Sequence, residues 1–297
     1  MGNCLEGESF EVIDLIIEKR LGKGSSRSMK ICQSTSVLAR FGVVLCCLFM
    51  TAKELVAESR VFLLAGQSNM AGAGLFEKLK KSEQKRPEGV KIWNKGVWTE
   101  LGPGISANEG RFGPELAFGR AMRKAFPDDD IYLIKTASGG TSMHKHWTVE
   151  GKGSPMLKKF LASARGALTD LDKSKVKYQV EGMLWMQGES DAAQGKGAEY
   201  EESLVKFIKA MRKEFKERKM PFLMGRILPT FDKPKGHGPM VRAALEKVAA
   251  EDENVACFNT DDFARLNKGH YDHEGQLELG KAFAEHFLKI RKAAEEK

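Results

Sequence analysis

Hydrophobic positions from Arg60 onward alternate between two periods. Arg60-Val-Phe-Leu-Leu-Ala65 is a short apolar run closed by Gly66, which predicts a buried strand. Ile131 to Thr136, Tyr178 to Met186, Pro221 to Leu228 and Val255 to Asn259 read the same way. Between them lie stretches with apolar residues three and four apart. These predict helices over Phe112 to Phe126, Met156 to Leu171, Tyr200 to Arg218, Met240 to Glu251 and Gly275 to Ala294. The first is opened by Gly113-Pro114 and stopped at Pro127, since Pro suits a first turn and cannot continue a helix. Val90 to Trp93 and Val97 to Glu100 flank Asn94-Lys-Gly96, a hairpin pattern. Strands alternating with helices predict a parallel sheet covered on both faces. The expectation is an α/β fold, one three-layer α/β/α sandwich spanning residues 58–297.

The first 57 residues do not fit that alternation. Phe41 to Met50 reads FGVVLCCLFM, apolar and about ten residues long, with Lys30 and Arg40 ahead of it. It is too short to span a bilayer as a helix but matches the apolar part of a signal peptide. Ala52 and Ala57 could each precede a cleavage point. Met29-Lys30 starts a stretch of signal layout, so the preceding 28 residues read as an extension from an unused upstream start. A buried core helix is the competing interpretation. The expectation is export, to a secreted or periplasmic location, with no stable membrane association after cleavage.

Composition narrows the classes. The 297 residues carry a net charge of +8, with 42% hydrophobic and 30% charged residues, as in an ordinary soluble domain. Basic residues are interleaved with acidic ones, as in Arg212-Lys-Glu-Phe-Lys-Glu-Arg-Lys219. That pattern predicts a solvated helix face and no nucleic-acid partner. Cys4, Cys32, Cys46 and Cys47 precede residue 50, which leaves Cys257 alone in the α/β part and excludes a disulfide there.

Four segments follow predicted strands or precede the last helix, and each carries chemistry. Gly66-Gln-Ser-Asn-Met70 places Ser68 in a tight strand-to-helix turn, which suits either a helix cap or an exposed nucleophile. Ser138-Gly139-Gly140 lets backbone approach a ligand and turn an N–H toward it. Trp185-Met-Gln-Gly-Glu-Ser-Asp191 offers the Gln187 amide at a strand end. Gly269-His-Tyr-Asp-His-Glu-Gly-Gln276 offers His270 as a general base. Ligands of such sheets bind beyond the carboxyl ends of the strands, so these turns are expected on one rim. His144-Lys-His146 and His270-x-x-His273 have ligand-like spacing, but no further Cys, His or carboxylate pair completes a zinc pattern. No metal or other cofactor is expected.

Together the segments resemble the SGNH hydrolase superfamily, whose sheet is flavodoxin-like. More narrowly they resemble its sialate O-acetylesterase-like branch, which includes carbohydrate esterase family 6 acetyl xylan esterases. The resemblance rests on Gly66-Gln-Ser-Asn-Met70, Phe112-Gly-Pro-Glu-Leu116, Gly139-Gly-Thr141, Trp185 to Asp191, and His270 followed by Gly275-Gln-Leu-Glu-Leu-Gly280. It implies a serine esterase acting on acetylated oligo- or polysaccharide, with Ser68 as nucleophile and His270 as base. It implies oxyanion donors in the Ser68 N–H, an N–H of Gly139 or Gly140, and the Gln187 side chain. Gln67, Asn69, Glu189 and Asp191 are expected to hold the loops. A short-chain acyl esterase or thioesterase and a non-catalytic glycan-binding homologue are the alternatives.

One position departs from the family pattern. Asn267 stands three residues before His270, where the family carries Asp. Asn accepts a bond from the ring but supplies no charge. Either Asn267 serves, or Asp261, Asp262, Asp272 or Glu189 stands in, or activity is weak. A substitute carboxylate or a bare Ser–His dyad is the expectation.

Overall fold

The computed structural model describes residues 59–297 except 103, 106–109, 152–153 and 233. The apolar run 41–50 and the proposed cleavage points lie outside the described residues.

The chain enters through β1 (Ser59–Gly66), buried along its whole length, and turns into a one-turn helix, α1 (Ser68–Ala71). A small strand β2 (Gly74–Leu75) follows, then β3 (Val90–Asn94), β4 (Val97–Glu100) and β5 (Arg111–Phe112). Helix α2 (Glu115–Ala125) leads to β6 (Ile131–Ala137). A π-helical turn at Met143–Trp147 precedes α3 (Pro155–Lys173), β7 (Tyr178–Met186), α4 (Glu189–Ala193) and α5 (Tyr200–Glu214). The remaining elements are β8 (Phe222–Gly225), α6 (His237–Glu251), β9 (Val255–Phe258) and α7 (His273–Glu295).

The main sheet has the order β4-β3-β6-β1-β7-β8-β9, and only the β3–β4 hairpin is antiparallel. Helices α2 and α7 pack together on one face, where Phe62 of β1 meets Phe118 and Phe287 edge-on. Helices α3, α5 and α6 cover the other, over Trp147, Trp185, Phe207 and Phe222. This is the three-layer α/β/α sandwich expected from the alternating pattern. β2 and β5 form a separate two-stranded sheet, too short to leave a periodic signal.

The hairpin turn is Lys95-Gly96, with φ of 50° and 87°, the left-handed pair that matches the twist of adjoining strands. The helix expected to reach Arg218 ends at Glu214, because Lys216 turns left-handed at φ 58°. The strand expected over Pro221 to Leu228 is only four residues long, since its ladder to β9 stops at Gly225.

Chain direction sets where chemistry can gather. β1 is central, with β6 on one side and β7 on the other, and all three run parallel. The turns after Gly66, Ala137 and Met186 therefore leave the same sheet edge at the point where the strand order changes direction. Gly66 makes the close approach possible. Its φ is +152°, and a β-carbon there would lie 2.1 Å from the Met186 carbonyl oxygen.

Candidate active site

Ser68 is the first residue of α1. Gln67 is the N-cap residue and contributes no side-chain cap, so Ser68 does not spend its hydroxyl on the helix end. Ser68 Oγ instead lies 3.1 Å from His270 Nε2, across 202 positions of sequence. At the helix start, the Ser68 N–H has no intrahelical acceptor. Gly139 stands against the serine, and a β-carbon on it would fall 3.6 Å from Ser68 Cβ.

The far side of the imidazole faces Asn267, with Nδ1 3.2 Å from Asn267 Oδ1. That oxygen also accepts the backbone N–H groups of Gly269 at 2.9 Å and His270 at 3.0 Å. Two fixed donors turn the amide oxygen, not its NH2, toward the ring. Nδ1 must then carry the proton, and Nε2 keeps its lone pair toward Ser68. Ser68 O–H can donate to Nε2, the geometry required for base-assisted attack by the hydroxyl.

Buried polar side chains lock these loops together. Asn69 Nδ2 donates to Glu189 Oε1 at 2.8 Å and to the Gly269 carbonyl at 3.0 Å, while Asn69 Oδ1 accepts from Tyr271 N–H at 3.4 Å. The residue after Ser68 thus holds the loop that bears His270. Gln67 Oε1 accepts from Ser190 N–H at 3.1 Å and Gly188 N–H at 3.4 Å, tying β1 to the turn after β7. Below α1, Lys135 Nζ donates to the Ala71 carbonyl at 3.0 Å and pairs with Glu115 at 2.5 Å. Burial pulls the Lys135 pKa down, and the Glu115 carboxylate opposes that. Glu189 is nearly inaccessible, and burial pushes its pKa up to about 7 despite the bond from Asn69.

A family model, "Carbohydrate esterase, sialic acid-specific acetylesterase", matches residues 58–289. The chain belongs to this family. It is thereby a carbohydrate esterase, an ester hydrolase. A probable carbohydrate esterase of Arabidopsis thaliana is 24% identical over 260 residues, covering 78% of this chain and 92% of the relative. A solved Arabidopsis thaliana structure superposes with a TM-score of 0.66 at 22% identity, over 78% of this chain and 98% of that one. A carbohydrate acetylesterase from Xanthomonas citri gives a TM-score of 0.55 at 16% identity, over 75% and 55% of the two chains.

Two expectations for this esterase's site need correction. Gln187 is not available as an oxyanion donor. It is completely buried, and its Nε2 faces Asp191 Oδ2 at 2.7 Å, the Thr141 carbonyl at 3.1 Å and Gln67 Oε1 at 3.2 Å. Two N–H bonds already serve three acceptors, and Tyr200 O–H occupies Gln187 Oε1 at 3.1 Å. Gln187 is a cross-brace between three loops. The second correction concerns a substitute acid. Among the described residues, none of Asp261, Asp262, Asp272 and Glu189 bonds to His270. Asp261 is held by Arg242 and Arg226, which lower its pKa through their hydrogen bonds and charge. Asp272 caps α7, accepting from the Glu274 and Gly275 N–H groups. Glu189 points to Asn69. Asn267 itself occupies the position behind the imidazole.

Tyr200 was not legible as a site residue, and Thr141 was legible only as the end of the Gly139-Gly-Thr141 block, with no role assigned to it. Thr141 accepts the Trp147 indole N–H at 3.1 Å and donates to the Ser138 carbonyl at 2.8 Å, which shapes the Gly139-Gly140 turn. Trp147 is fully buried and forms part of the core. Among the described residues no group of three His, Cys, Asp or Glu side chains is arranged to hold a metal ion.

Proposed function

We propose that this carbohydrate esterase removes O-acetyl groups from sugars through a covalent acetyl-serine intermediate on Ser68. The observation that carries the proposal is the Ser68–His270–Asn267 line, 3.1 and 3.2 Å between successive partners, beyond the carboxyl end of the central strand β1. Ser68 Oγ attacks the acetyl carbonyl carbon while its proton passes to His270 Nε2. The carbonyl oxygen becomes an oxyanion beside the backbone N–H groups of Ser68 and the Gly139-Gly140 turn. The bond from the acyl carbon to the sugar oxygen then breaks, and His270 returns the proton to that oxygen. Water attacks the acetyl-serine and gives a proton to His270; the bond from the acyl carbon to Ser68 Oγ breaks, His270 passes the proton to Oγ, and acetic acid leaves to ionise in solution. The names borne by the family and by its relatives support a sugar ester as substrate.

A panel of acetylated xylan, O-acetylated sialic acid and 4-nitrophenyl esters of increasing chain length tests this. Acetate release from a saccharide should exceed hydrolysis of butyryl and longer esters. Preference for long acyl chains, with no acetate released from either saccharide, would favour a general esterase. Export through the 41–50 segment is part of the proposal, supported by sequence alone. N-terminal sequencing of the native protein should begin after Ala52 or Ala57, and retained Met1 or Gly2 would exclude it.

Asn267 gives a sharper prediction. Its oxygen already fixes the productive tautomer, so what it lacks relative to Asp is negative charge beside the forming imidazolium. Asn267→Asp should raise kcat on 4-nitrophenyl acetate by about tenfold, the gap between a neutral and a charge-assisted hydrogen bond. A fall in kcat for the purified, folded variant would contradict this.

A further inference from the structure

Asp191 anchors a second histidine on the same rim. Its carboxylate, on a residue only 1% exposed, accepts from Met143 N–H at 2.7 Å, His144 N–H at 3.2 Å, His144 Nδ1 at 3.0 Å and Gln187 Nε2 at 2.7 Å. Three of these donors belong to the π-helical turn that follows Gly139-Gly140, a backbone form that recurs at functional sites. The fourth, Gln187, also reaches Gln67, the residue before Ser68. The His144 ring thus hangs from Asp191, while Gln187 and Gln67 keep their bonds to Asp191, the Thr141 carbonyl and the Ser190 N–H without it.

The ring itself is not buried. The His144 side chain is 30% exposed, while Nδ1 turns inward to Asp191. A carboxylate can only accept, so Nδ1 carries a proton, and in the neutral ring Nε2 is an acceptor. No hydrogen bond engages Nε2 among the described residues. His146, two positions on, differs: its Nδ1 accepts from Ser142 N–H at 3.0 Å and turns back on its own loop. A surface histidine fixed through both its backbone and its ring is pre-organised for a ligand, since its ordering cost is already met in the free protein.

We infer that His144 is a substrate-binding residue whose Nε2 accepts a hydrogen bond from a free sugar hydroxyl beside the acetyl ester. The inference rests on the Ser68 esterase reading and adds the part of the substrate that the Ser68–His270 pair does not contact. It assigns specificity for partially acetylated sugar to this loop.

Three substrates separate the possibilities: 4-nitrophenyl acetate, a methyl xyloside with one acetyl and free hydroxyls, and the same xyloside fully acetylated. For His144→Ala, kcat/KM on the monoacetylated sugar should fall about tenfold, mainly through KM, as for one lost hydrogen bond. The other two substrates should change less than about twofold. His144→Gln, which keeps an acceptor oxygen, should recover part of the loss, and unchanged thermal unfolding confirms that both variants fold. An equal loss on all three substrates overturns the inference in favour of loop support. A loss shared by both sugars overturns the hydroxyl assignment, and no loss on any overturns the contact. Wild-type protein inactive on all three would overturn the esterase reading itself, an outcome visible before any variant is made.

Discussion

Replacing Ser68 or His270 by Ala is expected to lower kcat on 4-nitrophenyl acetate by about a millionfold, as for the paired residues of a serine protease. The double variant should be no worse than either single one. The reason is geometric. Ser68 Oγ is a weak nucleophile until His270 Nε2, 3.1 Å away, takes its proton. Without the base the hydroxyl stays protonated, and without the hydroxyl the base has nothing to activate. Both residues are only partly buried, so the losses should appear with little change in unfolding temperature. Steady-state kinetics on all three variants checks this. Multiplicative losses would mean that the two side chains act separately.

The second large effect is on stability and concerns Glu189. Its folded-state pKa of about 7 stands above the usual 4.5, with burial the main cause. Below the unfolded value both states hold the proton, and the folded protein has its full stability. As pH rises from there, the unfolded chain releases the proton first, and stability falls by about 1.4 kcal/mol per pH unit until the folded pKa is passed. A shift of this size amounts to roughly 3 kcal/mol. Glu189→Gln keeps an oxygen that can face Asn69 and has no proton to lose. Urea unfolding of the two proteins between about pH 4 and pH 8 should give curves that diverge by roughly 3 kcal/mol, the variant becoming the more stable at high pH. Parallel curves would show that Glu189 ionises in the folded state at its ordinary pH.

The sequence pattern carried most of the sheet, because fully buried strands such as β1 must be apolar on both faces and end where a turn needs Gly66. It did not carry β2 and β5, whose two-residue lengths leave no period. It carried the end of α5 less well, because Lys216 adopts a left-handed conformation that its type does not announce. The chemistry-bearing segments were legible as turns after strands, and the fold brings Ser68, Gly139, Asn267 and His270 together. What sequence could not weigh was competition for a polar group. Gln187 looks like a donor at a strand end until Asp191, Thr141 and Gln67 converge on it. Asn267 looks inadequate until the Gly269 and His270 N–H groups are seen to fix its oxygen toward the ring. Both facts depend on partners brought in by the fold or by the local turn, not on residue type.

Trapping the acyl-enzyme tests the central claim most directly. Wild-type protein mixed with 4-nitrophenyl acetate, quenched in acid within the first turnovers and digested, should yield one acetylated peptide, modified at Ser68. The His270→Ala protein should yield almost none over the same interval. Hydrolysis at the wild-type rate with no acetyl group on Ser68, or with the label on another residue, would contradict the assignment of Ser68 as the nucleophile.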